Sequence, residues 1–135
     1  HYSGFRPNLT LEEVNNESFE AAGLKIQPFD LGHGGNRVMG IRIGDFAYAT
    51  DCSSIPEDSM SILSGVRVLI IDALRHRKHP SHFTVEQAME IVDELKPKET
   101  YFTHTNYELE YHETNRSLPS GVEMAYDGLT LDINL

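Results

Sequence analysis

The run IQPFDLGHGGNRVMGIRIGDFAYATD, from Ile26 to Asp51, is where the chain declares its fold. It reads as three short apolar segments broken by glycine. Leu24–Phe29 alternates apolar and polar residues, imperfectly, and leads into the GHGG that carries His33. Val38–Ile43 and Phe46–Thr50 flank Gly44-Asp45. Gly and Asp tolerate the positive φ angles of a tight two-residue turn, so these two segments are expected to form a hairpin. The last segment runs straight into Asp51.

Working outward, Pro56 is expected to open a short helix, with Ser54 near its N-cap and Gly65 as its stop. Val66–Ile71 (VRVLII) is the most apolar stretch and reads as a central strand covered on both faces. The loop DALRHRKHPSH follows it. Thr84 and Gln87 then make a Thr-x-x-Gln capping box, and Val85, Ala88, Met89, Val92 and Leu95 recur at helical spacing up to Pro97. Thr100–Thr103 is a short strand that runs into His104. Tyr107–Arg116 reads as a polar helix, and Val122–Ala125 with Leu129–Ile133 as a second hairpin about Tyr-Asp-Gly. Upstream, His1–Ala22 is polar and irregular. The sum is a sheet protein of the α/β or α+β class, with helices packed against the sheet.

Composition narrows the functions open to such a chain. Its 135 residues suit one domain, and 39% hydrophobic residues suffice for a modest core. A formal net charge of -10 repels nucleic-acid phosphate and anionic lipid, so general DNA binding and membrane association are not expected. A local basic patch could still serve a phosphodiester, which keeps RNA processing open. The single cysteine, Cys52, permits no internal disulfide and reads as a small buried filler; a reducing cytoplasm is the simplest compartment. No apolar run approaches the length of a membrane span, and none reads as a secretory signal.

Three apolar strands thus end in a metal-capable residue: His33, Asp51 and His104. A sheet gathers strand ends along one rim, so residues distant in sequence can converge there. Neutral imidazole and carboxylate suit Zn, Mn or Fe, and a carboxylate has two oxygens with which to bridge a metal pair. On the residues alone a second reading fits as well: Asp51 caps a turn, His33 sits in a solvated loop and His104 is an ordinary hydrogen-bonded histidine.

Ordered motifs favour the first reading. IQPFDLGHGGNRVMGIRIGDFAYATDCSSIP, VLIIDALRHRKHPSHFTVEQAMEIVDELKPKETYFTHTN and LPSGVEMAYDGLTLDI resemble the C-terminal half of the metallo-β-lactamase superfamily. They are most similar to the branch containing the cyclic phosphodiesterase of phosphonate breakdown, itself akin to tRNA 3′-processing nucleases. The resemblance runs from about Pro7 to the C-terminus. It implies an α+β fold, the αββα sandwich, with two divalent metal ions (Zn or Mn) between its sheets.

The resemblance also implies roles. His33 matches the family's lone histidine ligand, Asp51 the aspartate that bridges both metals, and His104 the histidine that completes the second metal. His82, in SHFTVEQA, matches a histidine that approaches the substrate phosphate and assists departure of the leaving group. That role suits an imidazole just before a helix N-terminus, where an anion is favoured and a proton can be donated near neutral pH; local capping or loop packing is the plainer reading. Arg75–His79 (RHRKH) is a basic island that could steer a phosphorylated substrate or simply be solvated. Tyr107 departs from the branch, where another histidine is common. His1, His76, His79 and His112 match no motif and receive no role.

The family's His-x-His-x-Asp-His motif, which supplies the remaining ligands, is not in this sequence, and the chain opens HYSGFRPNLT without an initiator methionine. Residues 1–135 are therefore expected to be one partial domain, the C-terminal half of the fold. For the parent protein the expectation is a dinuclear metal-dependent hydrolase. A metal-bridging hydroxide would attack a small phosphodiester, and His82 would help the leaving group depart. The alternatives are a lactone or thioester hydrolase of the same superfamily and a non-catalytic half-domain. A half-sandwich exposes apolar sheet surface, so self-association into a homo-oligomer is also expected.

Overall fold

The computed structural model describes residues 8–134. His1 and the rest of 1–7, the first part of the irregular opening segment, lie outside them. Seven strands among the described residues form one mixed sheet: β1 (Phe19–Ala21), β2 (Leu24–His33), β3 (Asn36–Ile43), β4 (Phe46–Ala49), β5 (Val68–Asp72), β6 (Glu99–Thr103) and β7 (Val122–Met124). Their order across the sheet is their order in the chain. The helices are α1 (Glu57–Leu63), α2 (Val85–Leu95) and α3 (Tyr111–Ser117).

The first four strands are antiparallel neighbours and the last four parallel ones. Antiparallel strands can be joined by tight turns. Parallel strands need a crossover, which α1, α2 and α3 supply in turn. Because crossovers are right-handed and the strand order advances one way, the three helices belong on one face of the sheet. Burial agrees. Ala47, Ala49, Leu69, Ile71, Phe102, Val122 and Met124 share one buried core with Leu63 of α1 and Val85, Ala88 and Val92 of α2. Between them Ile41, Tyr48, Ile70 and Tyr101, paired in register across four strands, stay partly exposed on the other face.

Glycine decides two details. Gly34 and Gly44 take the positive φ (59° and 55°) that opens the two-residue turns of β2–β3 and β3–β4. Gly40 makes room for Phe29 on the neighbouring strand: an added Cβ would lie 2.3 Å from that ring.

Several element boundaries differ from those expected. The strand begun at Leu24 does not stop at Phe29 but runs to His33, because the tight turn at Gly34-Gly35 lets β2 and β3 pair to their ends. Part of the opening segment pairs with β2 as β1. Pro56 itself occupies the N-cap position of α1, while Ser54 bridges to Gly32. β5 lies inside the sheet, yet its Ile70 remains half-buried, so the strand is fully covered on one face alone. The polar helix begins at Tyr111 rather than Tyr107. Asn106 accepts the N–H of Glu108 through its side chain and that of Leu109 through its carbonyl, which turns the chain before Glu110 caps α3. The second hairpin is absent among the described residues: β7 lies parallel to β6, and 129–133 pairs with nothing. Alternation reports a face, not a partner. The capping box on α2 is as expected, with Thr84 accepting from the Gln87 N–H and the Gln87 side chain accepting from the Thr84 N–H.

Candidate metal centre and active site

The C-terminal ends of β4, β5 and β6 lie side by side, and the end of the β2–β3 hairpin reaches the same rim. Backbone bonds staple these ends together. Gly32 donates to Ser54 and accepts from Ser53, tying the residue before His33 to the segment after Asp51. The Phe83 N–H donates to Cys52, and the Ala73 N–H to Thr103, each at the threshold of a candidate side chain. Asn106 donates to Leu74, holding the His104 loop against the end of β5.

This places His33, Asp51, His82 and His104 in one cluster. Asp51 Oδ1 is its hub, at 3.1 Å from His33 Nε2, 3.6 Å from His104 Nε2 and 3.6 Å from His82 Nδ1. The His82 ring lies among the others, with centroids 5.0 Å from His33 and 4.8 Å from His104. Asp51 and His104 both adopt the left-handed backbone conformation, with φ of 59° and 58°. That region costs an L-residue of this kind roughly 1 kcal/mol, and such strain concentrates where a side chain must be aimed.

One member was not singled out from the sequence. Asp72, the last residue of β5, is fully buried, and its Oδ2 accepts from the Cys52 N–H (2.8 Å) and meets His82 Nδ1 at 3.0 Å. An ionised carboxylate only accepts, so with Asp72 ionised His82 Nδ1 is the donor, and Nε2 is the ring nitrogen left free of that bond. Burial pushes the Asp72 carboxyl above its ordinary range, opposed by the bonds from His82 and Cys52. Its other oxygen, Oδ1, is buried with no partner among the described residues. The signal was present in the sequence: like Asp51, Asp72 is a carboxylate ending an apolar strand.

These donors fit a divalent cation. Two ligand atoms sharing a tetrahedral ion at about 2.0–2.1 Å stand about 3.3 Å apart, and the 3.1 and 3.6 Å separations about Asp51 bracket that value. A second grouping, which leaves out His33, overlaps this one: ligand atoms of Asp51, Asp72, His82 and His104 all lie within 4.8 Å of one another, but there Asp72 Oδ2 and His82 Nδ1 are engaged with each other. Cys52 does not join them. Its thiol is buried and bonded to the Ala49 carbonyl, and burial, then Asp72 and Asp51, push its pKa far up, so it stays protonated.

The basic island is largely neutralised. Arg75 and Arg77 both reach Glu108 (3.1 and 3.0 Å), and His76 meets Glu86 at 2.6 Å. His112 lies in α3, against Tyr111.

A family model, the beta-lactamase superfamily domain, matches residues 2–105. The chain belongs to this superfamily. A solved diphosphatase from the PhnP family is 46% identical, with a TM-score of 0.88 over 90% of this chain and 48% of its own length. Human tRNase Z, short form, shares the fold at 20% identity and a TM-score of 0.67, over 87% of this chain and 45% of its own. An octanoyltransferase of Porphyromonas gingivalis is 34% identical over 126 residues, which are 91% of this chain and 26% of that protein. This β-lactamase superfamily chain therefore spans about half of the solved structures it matches and about a quarter of that longer relative. Its mixed sheet, with helices on one face, is one half of the superfamily's layered α+β architecture.

Proposed function

We propose that this chain is the C-terminal half of a metal-dependent phosphodiester hydrolase. The observation that carries the proposal is a proton-bearing imidazole, His82, held by a wholly buried carboxylate beside an aspartate flanked by two further imidazoles. The 46% identity to a PhnP-family diphosphatase supports a phosphorus centre over a lactone or thioester.

His33, Asp51 and His104 would hold two divalent ions, Zn or Mn, together with ligands from residues outside this chain. Such ions activate water and neutralise the charge that develops on phosphorus. Asp51 Oδ1, in reach of both imidazoles, suits the shared position. His82, as an imidazolium, would give the proton of Nε2 to the leaving oxygen, while Asp72 fixes the ring's orientation through Nδ1. The negative surface keeps nucleic acid in general away, so the substrate is a small phosphodiester.

The partly exposed row Ile41, Tyr48, Ile70 and Tyr101 is where the second sheet of the sandwich would pack. Without that sheet the chain is expected to self-associate. A lone buried thiol suits a reducing compartment, and we assign the protein to the cytoplasm on that ground. No helix among the described residues is long and apolar enough to cross a membrane.

The test is turnover of bis(4-nitrophenyl) phosphate by full-length protein supplied with Mn²⁺ or Zn²⁺. Metal-dependent hydrolysis supports the reading, and His82→Gln should slow a diester with a poor, alkyl leaving group far more than this nitrophenyl ester, whose leaving group needs little help from an acid. Normal metal content without turnover overturns it.

A further inference from the structure

Two carboxylates lie within reach of one nitrogen of His82. Its Nδ1 is 3.0 Å from Asp72 Oδ2 and 3.6 Å from Asp51 Oδ1. The first oxygen belongs to a completely buried side chain and the second to a half-exposed one. A small swing of the ring exchanges one partner for the other. The hydrogen bond resists that swing only weakly, because χ2 of a histidine is a broad torsion without sharp staggered wells.

The loop 75–84 supplies a second restraint. Its neck is closed by the Leu74 N–H on the Phe83 carbonyl (2.9 Å) and the Val85 N–H on that of Arg75 (3.0 Å). Inside it the Arg75 guanidinium donates to the carbonyls of Arg77 (2.9 Å) and Lys78 (3.3 Å), and is itself anchored on Glu108. Arg75 is thus an internal strut rather than a free steering charge. His79 follows, and Pro80 confines its backbone to extended conformations. Its Nδ1 accepts the Ser81 N–H at 3.3 Å.

The ring so braced lies against His82, with centroids 4.8 Å apart and planes inclined by 39°. His104 is also 4.8 Å from His82, but it is shared with Asp51 at 3.6 Å. An imidazole whose Nδ1 accepts is neutral. Burial, then the charges of His82 and Arg75, hold His79 below its ordinary range in the same sense. A neutral aromatic ring attracts an imidazolium packed against it.

We infer that His79 is a positioning residue: its ring, packed against His82, holds that imidazole on Asp72 rather than on Asp51. This rests on the hydrolase reading above and adds a residue to its proton-donating arm.

Full-length protein tests it with adenosine 2′,3′-cyclic phosphate, whose alkyl leaving group needs a proton. His79→Ala removes the ring and should lower kcat about tenfold, with KM held within about twofold. Bis(4-nitrophenyl) phosphate, less dependent on an acid, should lose less than about twofold. His79→Phe keeps a ring but cannot accept from Ser81, and should recover most of the loss. Equal losses on the two esters, or no recovery with phenylalanine, overturn the assignment. Proton NMR of chelator-treated protein gives a readout free of turnover. The His82 Nδ1–H signal, identified by its absence in His82→Gln, should exchange with water at least about tenfold faster in His79→Ala than in wild type, and near the wild-type rate in His79→Phe. If wild-type protein hydrolyses neither ester but this order of exchange persists, the hydrolase reading falls and the assignment of His79 stands. Equal exchange in all three proteins overturns the assignment whatever the turnover.

Discussion

His82 Nδ1 and Asp72 Oδ2 stand 3.0 Å apart, and the carboxylate is completely buried while the imidazole reaches the surface of the site. The pair joins the interior of the sheet to its working rim. Oδ2 of Asp72 also takes the Cys52 N–H, so one oxygen aims His82 and anchors the turn that follows Asp51.

Asp72→Asn separates these duties. Loss of the charge behind His82 should lower kcat of the full-length protein by about 10- to 100-fold, with KM little changed. Stability should move the other way with pH. Burial raises the folded-state pKa of Asp72 above its unfolded value near 3.8. Wild-type stability is therefore lost as pH rises from that unfolded value through the folded one. The stability of the variant relative to wild type, from urea titrations of chelator-treated protein, should be more favourable at pH 7 than at pH 4. An unchanged or opposite difference would refute it.

His104 is held at a φ of 58°, where a Cβ is strained. His104→Gly should thus be more stable than His104→Ala by about 1 kcal/mol, while both variants bind metal more weakly. Denaturant midpoints and metal analysis check the two halves of this expectation separately.

Thr100 is buried, and its hydroxyl has no partner among the described residues. Thr100→Val replaces an unpaired oxygen with a methyl group of similar size, on the face that packs against the helices. We expect a gain of about 1 kcal/mol, read as a higher Tm. A loss would mean that the hydroxyl is bonded.

Glu108 ties Arg75 and Arg77 to the loop that follows His104. The bond from Arg77, aided by those from Asn106 and Arg75, holds its carboxyl below the ordinary range. A depressed carboxylate contributes stability above its unfolded pKa and loses it as pH falls through the folded value. Glu108→Gln should lower Tm at pH 7, and the gap to wild type should close on acidification below about pH 4. A gap independent of pH would show that the charge is immaterial.

The candidate site was partly legible from residue order. His33, Asp51 and His104 each follow an apolar run, and strand ends in one sheet share a rim. Asp72 ends such a run too, but nothing in the residue order shows that it is buried. Its burial depends on Cys52, 20 residues upstream, lending an N–H. The basic island was ambiguous for the same reason, since its partner Glu108 lies 33 residues beyond Arg75.

By itself the sequence determined what is local: the Gly44-Asp45 turn, the capping box and apolar stripe of α2, and the strand-end positions of the candidate ligands. These follow from φ preferences, side-chain reach and periodicity over a few residues. Tertiary structure alone decided which ends meet, that Asp72 stands behind His82, and that 129–133 pairs with no strand among the described residues. Each of those depends on a neighbour brought close by packing, and packing is a property of the whole sheet.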